Sequence, residues 1–139
     1  MDCDVPGISM YFTNDRIYLR KQTIMALRSP AYIHLSINRG NKLLIITPCE
    51  KDKDAFRVHY NEWYTYTIDG VKYKDPLASF INAKWLLDFL ARIVGVKRDS
   101  ISLRFAGLLH NEEIIIDLKH YEEVIYEKED RIDESYKTI

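Results

Sequence analysis

Six basic side chains fall in the first third of the chain: Arg16, Arg20, Lys21, Arg28, Arg39 and Lys42, against three acids over residues 1–48. Arg and Lys at this concentration suit one kind of chemistry. They neutralise phosphates and release counterions, and Arg also forks onto a guanine edge. The other reactive side chains do not assemble into a catalytic pattern. His34, His59, His110 and His120 are scattered and match no metal-ligand spacing. Cys3 and Cys49 are too few and too far apart for a zinc cluster. Cys49 lies near His59 in sequence, but no third group is evident to orient such a pair for nucleophilic attack. Glu112-Glu113 and Glu122-Glu123 are adjacent residues, which do not face one another on a helix or a strand. No phosphate loop, nucleotide fingerprint or serine elbow is present. The expectation is a non-catalytic protein with no cofactor and no metal. A further stretch, Trp63, Tyr64 and Tyr66 near Lys72 and Lys74, is open to two readings: stacking of single-stranded bases or cross-strand packing.

Bulk charge limits how the basic residues can act. The formal net charge is −1 and the pI is about 6.4, short of the strongly basic balance of many nucleic-acid binders. The charge is uneven, however. Residues 1–119 carry 17 basic and 14 acidic residues, and residues 120–139 carry seven acids and three bases. The body is mildly basic and the tail acidic, which suits a local basic patch and either an interaction tail or a solvated end. No apolar run approaches the roughly 18 residues of a membrane span. The N-terminus lacks a basic and apolar leader, and two cysteines suit reduced thiols, so a cytoplasmic location is expected.

The elements that must position these residues read as α+β, with mostly antiparallel sheet or a small barrel and one long amphipathic helix. Short strands are predicted at 8–12 and 16–19, joined by the turn residues Thr13-Asn14-Asp15. A short helix follows over 21–29, stopped by Pro30. Ile33, Leu35 and Ile37 alternate with Tyr32, His34 and Ser36, predicting a half-buried strand. Gly40 is expected to supply positive φ in the turn before a strand at 42–47, which Pro48 ends. Residues 56–60 alternate again. Asp69-Gly70 between 63–68 and 71–73 predicts a type I′ hairpin, and Lys74-Asp75-Pro76 breaks the pattern. The long helix spans 82–95, with Asn82 as N-cap, Gly95 after its end and an apolar stripe of Trp85, Leu86, Phe89, Leu90 and Ile93. Lys84, Asp88 and Arg92 fall on its wet face. Strands at 101–107 and 114–118 flank a turn at 108–113.

Two stretches share one order of elements: strand, helix, alternating strand, turn, apolar strand. They cover 16–47 and 79–118. The chain therefore divides into one domain over 1–119, built of two pseudo-repeated units, and an acidic tail over 120–139. The first unit, "RIYL", "RKQTIMALRSP", "YIHLSI", "NRGN", "KLLIITP", resembles the AbrB/SpoVT/MazE swapped-hairpin domains over about 33 of 139 residues. It departs where the family usually has Pro-Lys or a similar pair (here Arg20-Lys21) and Gly after the helix (here Arg28-Ser29-Pro30). The second unit resembles the family only in element order. The resemblance implies an intertwined barrel, formed as a homodimer or as a pseudo-dimer within one chain. It also implies DNA binding in transcription regulation, through Arg16, Arg20, Lys21, Arg28, Arg39 and Lys42; Lys97, Arg98 and Arg104 add candidates from the second unit. The tail resembles that of MazE-type antitoxins in being acidic and partly apolar, which implies, as the alternative, a protein partner bound through residues 120–139.

Overall fold

The computed structural model describes residues 5–96 and 101–125. The first hairpin joins β1 (Gly7–Tyr11) to β2 (Arg16–Leu19) through a turn in which Asp15 takes φ 59°. Ile8, Met10, Ile17 and Leu19 point inward, as their alternation with polar neighbours requires. Helix α1 (Lys21–Ala26) has six residues, too few to persist without packing, and it buries Thr23 and Ile24. Two left-handed residues, Arg28 at φ 65° and Ser29 at φ 50°, end the turn where a glycine would carry no Cβ strain. The Ser29 N–H donates back to the Ile24 carbonyl at 2.8 Å.

β3 (Tyr32–Asn38) and β4 (Leu43–Cys49) form the second hairpin. The positive φ of its turn falls on Lys42, at 55°, rather than on Gly40. The Asn38 side chain orders the turn by accepting from the Asn41 N–H at 3.1 Å. β4 runs on through Pro48, which pairs with Ile33. Pairing on the other flank of β4 stops at Ile46, so a residue without an N–H is accommodated beyond it.

β5 (Phe56–Arg57), β6 (His59–Ile68) and β7 (Val71–Asn82) follow. Asp69 and Gly70, at φ 52° and 79°, make the expected two-residue turn. β7 does not break at Lys74-Asp75-Pro76; it continues with Pro76 opposite Trp63 and takes in Ser79-Phe80-Ile81, where the second repeated unit begins. That helix, α2, spans Lys84–Val94 and ends in left-handed backbone at Gly95. Asn82 is not its cap: it is the last residue of β7, paired with Arg16, and Ala83 takes the capping position. The buried face of α2 is Leu87, Leu90 and Ala91, and Trp85 is 81% exposed. The expected stripe is therefore rotated about the helix axis. β8 (Ile101–His110) and β9 (Glu113–Asp117) meet at a tight turn on Asn111 and Glu112, both at positive φ, so the turn is shorter than the expected 108–113. β10 (Glu122–Ile125) pairs with the first half of β8.

Among the described residues every strand pairing is antiparallel, in the order β5-β3-β4-β9-β8-β1-β2-β7-β6. The two ends of this path belong to one stretch of chain. Phe56 pairs with Ile33, Val58 donates to the Ala31 carbonyl at 2.9 Å, and His59 pairs with Phe80. The sheet thus bends back on itself into a nearly closed barrel. β8 makes the opposite corner: residues 102–106 pair with β1 and residues 107–110 with β9. Gly107 sits at that corner, where a Cβ would lie 2.8 Å from the side chains of Ile114 and Ile116. The interior is filled by Ile8, Met10, Ile33, Leu44, Ile46, Leu103, Phe105, Ile114 and Ile116, with α1 and α2 adding Ile24 and Leu90. Each such side chain contributes about 1.5–3 kcal/mol on leaving water.

Candidate functional site

The six basic residues of the first third do not form one patch. Arg16 lies over the ring of Phe80, 4.0 Å from its centroid, and donates to the Tyr18 hydroxyl at 3.2 Å. Tyr11, Tyr18, Phe80 and His59 continue an aromatic row across the outer face of β1, β2, β7 and β6. Arg20 stands at the other end of β2, about 13 Å along an extended strand. Its guanidinium packs on Gly7 and donates to the Val5 carbonyl at 3.4 Å. It shares a cleft of about 300 Å³ with Arg104, His120 and Glu122. Lys21 is exposed at the first position of α1, and Arg28 is exposed beyond its end.

Arg39 and Lys42, at the β3–β4 tip, are the pair the fold brings together. They line a cleft of about 510 Å³ against Phe89, Arg92 and Ile93 of α2. The Arg39 guanidinium is 5.7 Å from the Phe89 ring centroid, within cation–π range. Arg92 also lines the neighbouring cleft, of about 440 Å³, with Trp85, Asp88 and Val96. The outer face of α2 thus presents an exposed indole, a half-buried phenyl ring and a guanidinium beside two hairpin cations. Cations hold phosphates and exposed rings stack on bases, so this surface has the parts of a nucleic-acid contact. Arg92 was legible as a wet-face residue of the helix; its meeting with Arg39 and Lys42 is tertiary and left no trace in spacing.

A second cluster lies at the other end of the same hairpin. The β3–β4 register sets Cys49 opposite Tyr32, which puts the thiol beside His34 on the outer face. Asp52, in the loop after β4, completes it: the Asp52 Oδ2 and His34 Nε2 are 2.8 Å apart. One potential ligand atom from each of His34, Cys49 and Asp52 lies within 4.8 Å of the others. The Asp54 N–H, donating to Asp52 Oδ1 at 2.8 Å, is the main cause holding the Asp52 carboxyl below its usual range, and His34 adds to it. Partial burial, then the Asp52 charge, pushes the Cys49 thiol up, so the metal-free thiol stays protonated at neutral pH and is no activated nucleophile. Sequence spacing missed this cluster because His34 and Cys49 are fifteen positions apart, and only the strand register cancels that distance.

The side chains of Trp63, Tyr64, Tyr66 and Lys74, and residues Lys97, Arg98 and 126–139, lie outside the described residues. Arg104 is exposed and paired in register with Glu122 of β10, so the tail as read in sequence begins with residues that belong to the sheet. Compared with known proteins, the chain matches no family model, no curated relative and no solved structure.

Proposed function

We propose that the protein is a non-catalytic, AbrB-like DNA-binding regulator, and that it meets DNA through the cleft between the β3–β4 tip and α2. The observation that carries the reading is the convergence of Arg39, Lys42 and Arg92 around Phe89. Three cations on one surface make a local positive patch on a chain whose net charge is −1.

The strand pairings support the swapped-hairpin reading. Take β1-β2-α1-β3-β4 as one unit and β5/β6-β7-α2-β8-β9 as the other. The second strands pair with each other, Ile17 opposite Ile81, and so do the fourth strands, Ile45 opposite Ile115. The first strand of each unit pairs with the third strand of the other: β1 with β8, and β5 with β3. Exchanging the two units maps this set of pairings onto itself, the relation expected of a dimeric barrel carried in one chain.

The test is fluorescence anisotropy with a mixed-sequence duplex, titrated over salt. Binding is expected to weaken linearly in log–log form, with a slope near −0.9 per phosphate neutralised. Replacing Arg39, Lys42 and Arg92 together by Ala should flatten that slope by about 2–3, while Arg104→Ala should leave it unchanged. Failure of the wild-type chain to bind at low salt, or an unchanged slope in the triple variant, overturns the proposal.

The second reading is an antitoxin-like interaction module, favoured by the acidity of residues 120–139. Glu122–Ile125 pair with β8, so the test is made on the residues that follow them. Deleting residues 126–139 should abolish co-purification of such a partner from the native host; equal retention by the shortened chain rules this reading out.

A further inference from the structure

We infer that His34, Cys49 and Asp52 form a binding site for a divalent transition-metal ion of the zinc type, with its coordination completed by water. The site is separate from the basic cleft and does not depend on that reading.

The donor set is the first argument. One imidazole nitrogen, one thiol sulfur and one carboxylate oxygen lie within 4.8 Å of one another on the surface. A sulfur and a nitrogen together select zinc-like ions over magnesium or calcium, which take oxygen. Three protein ligands with a fourth position open to water is the common arrangement of reactive zinc sites.

Positioning is the second argument. His34 and Cys49 sit on neighbouring strands of one hairpin, fixed by a continuous ladder from Tyr32–Cys49 to Asn38–Leu43. Asp52 comes from the loop, and that loop is ordered by the Asp52 carboxylate itself. One oxygen accepts the Asp54 N–H at 2.8 Å and the other is left facing His34. Anchoring a ligating carboxylate through its second oxygen is how outer-shell bonds orient metal ligands.

Distance is the third. Bonds of 2.0–2.3 Å in a tetrahedron place ligand atoms about 3.3–3.8 Å apart. The three atoms here lie within 4.8 Å of one another, and the His34–Asp52 pair at 2.8 Å has to open slightly. Both side chains have room to do so, being 39% and 46% exposed. On binding, the Cys49 S–H bond breaks, the sulfur keeps the electron pair and forms the metal bond, and the proton passes to solvent. A surface His–Asp pair alone would stabilise little and needs no thiol beside it.

Cobalt(II) is the probe, added to the untagged full chain carrying Cys3→Ser so that Cys49 is its sole thiol. The expected result is a thiolate-to-cobalt charge-transfer band with visible bands of four-coordinate cobalt, saturating at one equivalent and bleached by zinc. Cys49→Ser should remove the charge-transfer band. His34→Ala and Asp52→Asn should each weaken binding at least tenfold. All three positions face outward, and far-UV circular dichroism verifies that the variants keep the fold. No charge-transfer band at excess cobalt, or a band that survives Cys49→Ser, overturns the site. Binding that ignores both His34→Ala and Asp52→Asn reduces it to a thiol scavenging metal and equally refutes the proposal.

Discussion

Thr23 explains more of the basic joint than the bases around it do. It is fully buried, and its hydroxyl both donates to the Gly7 carbonyl and accepts from the Gly7 N–H, each at 2.7 Å. The Arg20 N–H donates to the same carbonyl at 3.1 Å, and the Arg20 guanidinium closes over Gly7. There is no space for a Cβ at Gly7, which would meet both that guanidinium and the Phe105 carbonyl. Arg20 therefore has a packing role where β1, β2 and α1 meet, whatever else it binds. Thr23→Val keeps the shape and leaves the Gly7 N–H buried without a partner. It should lower unfolding stability by about 1–3 kcal/mol, read as a shifted urea midpoint with an unchanged slope. An unshifted midpoint would show that the clamp contributes nothing. In the sequence Thr23 reads only as a neutral helix residue on the apolar side, because its partner lies sixteen residues upstream.

At the scale of elements, what was local was legible. Strands β1, β2 and β3 and the Asp69-Gly70 hairpin were legible, whereas α1 ends at Ala26, short of the expected 21–29, because Arg28 and Ser29 turn left-handed before Pro30 is reached. Errors came where a neighbouring strand decided the outcome. Pro48 and Pro76 do not end their strands, because a missing N–H matters only where a neighbour would accept it. Trp85 does not face the core: a helical period reveals a stripe but not the side on which the sheet lies. The β8–β9 turn is tighter than the expected 108–113, because Asn111 and Glu112 take left-handed conformations without a glycine and pairing runs on to His110 and Glu113. The far end of the same hairpin carries a testable contact. Asp117 accepts from the Lys119 N–H at 2.9 Å, and Lys119 reaches the Asn41 carbonyl at the tip of the other hairpin at 2.8 Å. The Lys119 backbone first, then its side chain, with His120 adding to them, hold the Asp117 carboxyl at about 2. A carboxyl lowered in the folded state stabilises above its unfolded value, near 3.9, and loses that contribution as pH falls towards 2. The wild-type urea midpoint should therefore fall more steeply than that of Asp117→Asn between about pH 4 and pH 2. Partial exposure keeps the difference modest. Parallel curves would show that the contact does not stabilise the fold.

At the scale of the molecule, the pairings leave neither half a sheet of its own. β1 needs β8 on its open flank, and β3 needs β5. The barrel core is shared in the same way: Leu44 and Ile46 of the first half face Ile114 and Ile116 of the second across adjoining strands. A hairpin on one short helix buries too little to stand alone, which is why element order in the sequence suggested a paired architecture. Which strand pairs with which was not readable there, since identity between the halves is low and pairing partners lie far apart along the chain. This arrangement predicts how the chain behaves when cut in the loop between Asp54 and Ala55. Each fragment alone should lack the dispersed amide spectrum of a fold, and mixing the two should restore it, because all long-range pairings re-form without the covalent link. Complementation should be one-to-one and weaken on dilution, as an association must. A fragment that folds as a monomer, with its own closed sheet, would contradict it, since the strand order would then not need the exchange that joins β1 to β8 and β3 to β5.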